Sequence, residues 1–265
     1  MATITINQTE IYYEIHGDGE ETIVFSHGLL WSGKMFQSQL DFFKARYRCV
    51  AYDHRGQGRS TDSARAFDME DLYNDGKAFI EALNLGPCHF VGLSMGGFIG
   101  MRMAARNPEL IKSLILLDTS ADAEPFKFKY SVLNTIVKFF GVPSVSTKVM
   151  PIMFGQKFLN DPSRTSELAY WKGQLDSNRK SITQSVSAVI HRKAVATEIP
   201  SIKCNVLVVV GDQDVATIPE KSIRIHNLIP KSTLKIIEGA GHSSSIEEPQ
   251  KVNQAIDEFL KLQKS

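Results

Sequence analysis

Ser94, Asp214 and His242 have the side-chain chemistry and the local settings for nucleophilic catalysis. Ser94 is the centre of Gly92-Leu93-Ser94-Met95-Gly96. The residues before it, Cys88 to Val91, are apolar and β-prone, and those after it set Phe98, Met101, Arg102 and Ala105 at helical spacing. A strand therefore feeds a helix through a turn too tight for a relaxed backbone. Glycines at 92 and 96 remove the Cβ atoms that would collide with the neighbouring strand and helix. The serine is left at the apex, hydroxyl outward, beside the backbone N–H groups of a helix N-terminus. A hydroxyl is a poor nucleophile until a base takes its proton. His242, at the end of Gly239-Ala240-Gly241-His242, is the candidate base. Its other ring nitrogen needs an acceptor to fix the tautomer and stabilise the imidazolium. Asp214 is the candidate acceptor, with Asp212 and Asp118 as competitors. Asp212 lies nearer the end of its strand, where an aspartate commonly caps turn backbone.

Alternating elements must position these residues. Compact apolar runs at 22–26, 48–53, 88–91, 113–118, 205–210 and 233–238 read as buried strands. Residues 2–8 and 10–16 read as an antiparallel edge hairpin. Helical spacing occupies 38–46, 68–85, 219–229 and 249–260. Strands alternating with helices, each strand a continuous apolar run, imply a mostly parallel eight-stranded sheet with helices on both faces. In such a sheet the carboxyl ends of the strands line one edge, where ligands bind. Ser94, Asp214 and His242 each follow a strand directly, so the fold brings them to one rim. The rhythm breaks between about 121 and 200, where Pro125, Pro143, Pro151 and Pro162 punctuate short helical pieces. The expected organisation is a core of residues 1–121 and 199–265 with a helical cap at 122–198. The aromatic-rich stretch 126–140 is expected to pack between cap and sheet.

Composition narrows the field. The 265 residues are 43% hydrophobic and 22% charged, with a formal net charge of +1. That balance carries no footprint for nucleic acid or an anionic membrane surface. No apolar run approaches the roughly 20 residues that span a bilayer. Residues 1–6 lack the basic and long apolar regions of a secretory signal. Cys49, Cys88 and Cys204 each adjoin a strand and read as buried free thiols, which fits a cytoplasmic protein. No His, Cys or Asp cluster has metal-ligand spacing, so neither metal nor cofactor is expected. His16, His27, His54, His89, His191 and His226 read as structural or surface histidines, with His27 placed to order the loop after its strand. Arg55 and Arg59 stand among glycines without Walker spacing and read as loop structure.

Taken together, His27-Gly28, Asp53-x-Arg55-Gly56-x-Gly58-x-Ser60, the Gly-x-Ser-x-Gly turn, Gly211-x-x-Asp214 and Gly241-His242 resemble the α/β-hydrolase family, in its chain order of Ser, Asp, His. The likeness covers all but the cap. It implies an α/β-hydrolase fold and favours Asp214 as the acid. It also implies an oxyanion hole built from the backbone N–H groups of Leu29 and Met95. His-Gly-Leu-Leu replaces the His-Gly-Gly-Gly of some lipases and argues against that branch. Dehalogenases and epoxide hydrolases place Asp where this chain has Ser94. Carbon–carbon bond hydrolases commonly carry an aromatic after the histidine, where this chain has Ser243-Ser244-Ser245. The implied activity is hydrolysis of small to medium carboxylic esters or lactones, a small-molecule reaction without cofactor. Enol-lactonases of 3-oxoadipate type and perhydrolases are the neighbouring alternatives. A ligand receptor on the same fold is an alternative of another class, distinguished by slow single-turnover hydrolysis. Leu30, Trp31, Phe126 and Phe139 are the expected pocket residues. An acidic lactone would call for a cap cation, with Lys127, Lys129, Arg164 and Lys172 available.

Overall fold

A computed structural model describes residues 2–263. Its strands are β1 (Ala2–Ile6), β2 (Thr9–His16), β3 (Thr22–Ser26), β4 (Arg48–Tyr52), β5 (Cys88–Leu93), β6 (Ile111–Leu117), β7 (Asn205–Gly211) and β8 (Ser232–Ile237). They form one sheet in the order β1-β2-β4-β3-β5-β6-β7-β8. The β1-β2 hairpin lies antiparallel on β4, and every other pairing is parallel. The order reverses around β3, as in a doubly wound sheet whose ligand crevice opens at the strand carboxyl ends.

The strand sequences explain the two-sided cover. Ile23 and Phe25 enter one apolar layer while Val24 enters the other. In β7, Leu207 and Val209 face the first layer, and Val206 and Val208 the second. This is the period-two alternation of a strand with both faces apolar. The first layer packs against α1 (Gln37–Phe43) and, at the other end of the chain, a helix over Pro249–Lys261. The second packs against α2 (Met69–Ala82) and α3 (Met95–Arg106). The α2 boundary has a local cause: the Asp68 side chain accepts from the Glu70 and Asp71 N–H groups, and Asp71 reaches back to the Asp68 N–H.

Between β6 and β7 the described residues form only helices: α4 (Lys127–Phe140), α5 (Ser146–Met153), α6 (Gln156–Leu159), α7 (Thr165–Asp176), α8 (Ile182–Ile190) and short 3-10 turns. The Val195 N–H donates to the Ala121 carbonyl at 2.8 Å, closing the neck where the chain leaves and re-enters the core. The chain then continues through β7, α9 (Pro219–Leu228), β8, α10 (Ser244–Glu247) and α11 (Pro249–Lys261). Proline starts both α9 and α11, where its missing N–H costs no intrahelical bond. No described helix is long and apolar enough to cross a membrane.

Candidate active site

Ser94 sits between β5 and α3 with φ 50° and ψ −107°. A positive φ in a non-glycine residue is strained, and three backbone bonds hold it there. The Ser94 N–H donates to Leu117 O at 2.8 Å, and Ser94 O accepts from Thr119 Oγ1 at 2.8 Å and from the Phe98 N–H at 3.0 Å. The flanking glycines are steric requirements. A Cβ on Gly96 would lie 2.0 Å from the Ser26 carbonyl oxygen, and one on Gly92 would lie 2.4 Å from that of Gly96.

His242 follows β8 and reaches across the rim. Its Nε2 lies 2.9 Å from Ser94 Oγ, and its Nδ1 lies 2.9 Å from Asp214 Oδ2. Both contacts are satisfied when Nδ1–H donates to the carboxylate and Nε2 accepts from the serine hydroxyl. Asp214 is itself fixed: Oδ1 accepts the Ala216 and Thr217 N–H groups, and Oδ2 accepts Thr217 Oγ1. All three residues are buried. Burial alone would depress the His242 pKa, but the charge and hydrogen bond of Asp214 outweigh it and hold the pKa above the ordinary histidine value.

The competing acids have other duties. Asp212 Oδ1 accepts the Gly239 N–H at 2.7 Å, joining the turns after β7 and β8. Asp118, at φ 46° after β6, accepts the Gly211 N–H through Oδ1 and the Ser244 N–H and hydroxyl through Oδ2. Complete burial, reinforced by the Asp214 charge, holds the Asp118 pKa well above the carboxylate range. Asp118 thus braces the loop that carries His242.

The Leu29 and Met95 N–H groups meet no protein acceptor among the described residues. The loop after β3, which carries Leu29, is braced by buried side chains. His27 donates from Nδ1 to Gly28 O and accepts the His54 N–H at Nε2, and burial lowers its pKa, keeping it neutral. Leu30 adopts φ 71°, and its N–H donates to Gln57 Oε1 at 3.0 Å. Gln57 Nε2 in turn contacts Met95 Sδ at 3.7 Å. Gln57 is a brace that the sequence hid within a glycine-punctuated loop.

Ser94 and His242 open into a cavity of about 150 Å³ between core and cap. Its wall is largely aliphatic, with Leu29 and Leu30 from the core and Leu133, Val145, Val186 and Val189 from the cap. Among its few polar residues are Glu124 and Arg192. The Arg192 guanidinium lies 4.3 Å from the Phe98 ring centroid and donates to Glu124 Oε2 and to the Val189 and Asp122 carbonyls. Sequence reading missed Arg192, which follows His191 and precedes Lys193 and so resembles a solvated basic run.

Leu30 lines the cavity as expected, but three other expected wall residues do not. Phe126 and Phe139 are 61% and 64% exposed. The register of α4 turns Tyr130, Leu133, Asn134 and Val137 toward the cavity and leaves those aromatics on the outside. The expectation that 126–140 buries its aromatics between cap and sheet is therefore corrected. Trp31 is buried beneath the rim, against Phe154 and Trp171, with its indole N–H donating to Ser243 Oγ. Nor do the four cap cations border the cavity. Arg164 donates to the Glu247 and Ile246 carbonyls, and Lys172 pairs with Asp176. Arg55 is a buried partner of Asp75, and Arg59 pairs with Glu14. Cys49, Cys88 and Cys204 are free; Cys204 is only partly buried.

Glu247 joins the two parts of the site. Its buried carboxylate accepts the Gly155 N–H of the cap at 2.7 Å and the Ser243 N–H of the histidine loop at 3.1 Å. Burial pushes its pKa up to about 7 against the opposing pull of those backbone donors.

Comparison with known proteins agrees with this architecture. Residues 21–249 match the family model described as the alpha/beta hydrolase fold, and the chain belongs to that family. It is 26% identical over 262 residues to 3-oxoadipate enol-lactonase 2 of Acinetobacter baylyi, covering 98% of this chain and 96% of the relative. The enol-lactonase from Burkholderia xenovorans LB400 superposes with a TM-score of 0.91 at 24% identity, covering 98% of this chain and all of that one. A thermophilic esterase from Thermogutta terrifontis superposes with a TM-score of 0.92 at 23% identity, over 100% and 99% of the two chains. At those identities the structural likeness speaks to the fold.

Proposed function

We propose that this α/β hydrolase cleaves uncharged carboxylic esters through an acyl-enzyme on Ser94, preferring apolar acyl groups of about six carbons. The size follows from the cavity: an apolar space of about 150 Å³ accommodates a benzene-sized guest. One observation carries the reading. A hydrogen-bonded relay from Asp214 through His242 to Ser94 ends at the mouth of an aliphatic cavity.

In the proposed mechanism His242 Nε2 takes the Ser94 proton as Oγ attacks the acyl carbon. Asp214 stabilises the imidazolium that forms. The oxyanion is held by the Leu29 and Met95 N–H groups, which are free for it among the described residues. His242 returns the proton to the departing alcohol. It then activates a water that releases the acid and restores Ser94. Donors already fixed in place pay no reorganisation in the transition state, and losing one costs on the order of 100- to 1,000-fold in rate.

A second reading has specific support. Arg192 is a cation at the cavity wall, and a carboxylate-bearing lactone of the enol-lactonase type would need one. Glu124 already engages that guanidinium, so the pair offers little net charge to a ligand. This favours the uncharged ester. The discriminating experiment is a panel of p-nitrophenyl esters from acetate to decanoate, simple lactones and a carboxylate-bearing enol-lactone, with Ser94→Ala as control. We expect a kcat/KM maximum near hexanoate and a loss on the order of a millionfold in the variant. Retained turnover in Ser94→Ala would sink the triad, while preference for the acidic lactone would favour the second reading.

A further inference from the structure

The cap carries an apolar surface that the catalytic site does not use. On α4, Phe128, Val132 and Phe139 follow one another at helical spacing and are 85%, 46% and 64% exposed. Phe126 and Phe140 extend the patch at either end. The opposite face of the same helix, at Tyr130, Leu133, Asn134 and Val137, lines the cavity. A helix apolar on both faces is ordinarily covered on both, and monomers rarely expose contiguous apolar patches of this kind.

The charge around the patch indicates what covers it. Residues 125–160 contain five lysines and no acidic residue. Lys157 is paired with Glu248. Lys127, Lys129, Lys138 and Lys148 have no carboxylate partner among the described residues. The acids just before the segment are engaged by cations, Glu124 by Arg192 and Asp122 by Lys221 and Arg224, and Asp161, just after it, accepts the Ser163 N–H and hydroxyl. Lys180 adds another cation at the end of α4, where its ammonium donates to the Phe139 carbonyl.

From this pattern we infer that α4 docks flat on the surface of an anionic phospholipid bilayer. The exposed phenylalanines enter the headgroup–acyl boundary, and the lysines meet lipid phosphates. A second copy of the chain complements the surface poorly, because pairing two such faces would oppose lysine to lysine. At 14 residues, about 21 Å, α4 suits an in-plane orientation rather than a span. Docking would leave one helix between the bilayer and the cavity. The net charge of +1 conceals this surface because the acidic residues lie elsewhere in the chain.

The test is co-sedimentation of the intact protein with phosphatidylcholine vesicles, with and without 30 mol% phosphatidylglycerol. We expect binding to the anionic vesicles that weakens as salt is raised. Phe128→Ser/Phe139→Ser/Phe140→Ser should lose at least tenfold in partitioning. Lys127→Glu/Lys129→Glu/Lys138→Glu should lose at least about a hundredfold, at roughly fivefold per cation removed. Both variants alter solvent-facing side chains and should keep wild-type turnover of a soluble p-nitrophenyl ester. Binding to neither vesicle type would overturn the inference. So would partitioning unchanged from wild type in both variants, or a concentration-dependent dimer abolished by the phenylalanine substitutions.

Discussion

The rim that presents Ser94 and His242 borders the same cavity as the cap, yet the two are built by different forces. At the rim, side chains are fixed by directional bonds to backbone that the sheet already holds. Asp214 alone accepts two backbone N–H groups and a hydroxyl besides contacting His242. The cap wall is held chiefly by aliphatic contact among residues such as Leu133, Val145 and Val186. Hydrogen bonds demand residue types at particular positions, whereas dispersion demands only suitable volume. The proposed chemistry therefore resides in few positions that tolerate little change. Selectivity resides in many positions that can be exchanged.

The sharpest way to break that contrast is at Asp214. Asp214→Asn should lower kcat by about 10⁴-fold, because the amide disfavours the required histidine tautomer. The pH profile carries a second readout. Only neutral His242 can act as base, so kcat/KM falls as pH falls through its pKa. Asp214 raises that pKa against the effect of burial. The acid limb should therefore lie above the ordinary histidine value of about 6.5 and move to lower pH in the variant. An acid limb that stays in place would remove Asp214 from the relay. Asp118→Asn is the internal comparison, since that group braces Gly211 and Ser244 and does not contact the imidazole.

At the cap the expected effect is smaller and different in kind. Val186→Ile adds one methylene to the aliphatic wall contributed by α8. The ratio of hexanoate to acetate kcat/KM should fall by about 10- to 200-fold, with acetate turnover nearly unchanged, since a methylene-scale misfit is worth about 1–3 kcal/mol. Equal losses on both esters would mean that the cap also positions the rim.

The same division explains what was legible in the sequence. Continuous apolar runs marked the parallel strands, and the residues following them marked the rim. Ser94, Asp214 and His242 come together because strand ends share an edge, a consequence of topology that needs no side-chain detail. The cap offered no comparable rule. Because α4 has apolar residues on both faces, periodicity could not say which face turned inward, and Phe126 and Phe139 were expected on the wrong side. Gln57, Arg192 and Glu247 were hidden differently. Each is a common polar residue in a polar local setting, and its role arises from a partner at least 27 positions away in sequence, as with Gln57 and Leu30. Net charge also averaged away the acid-free segment at 125–160.

Glu247 tests whether the two regions are energetically joined, with the smallest effect of the three. Its carboxylate spans the Gly155 N–H of the cap and the Ser243 N–H of the histidine loop. Folding raises its pKa to about 7 from a reference of 4.5, so the folded chain holds the proton more tightly than the unfolded chain. The resulting stabilisation is fully present below the unfolded pKa and is lost as pH rises toward 7 and beyond. Glu247→Gln resembles the protonated form at every pH. The Tm of the wild type minus that of the variant should therefore fall by a few degrees between pH 5 and pH 8, at roughly 2–4 °C per kcal/mol for a protein of this size. Comparing the two proteins cancels the opposing titrations of His27 and His54, whose pKa values burial lowers in both. A constant Tm difference would mean that Glu247 is not titrating at the junction, leaving the cap attached through neutral contacts such as Asn178 to the Leu30 carbonyl.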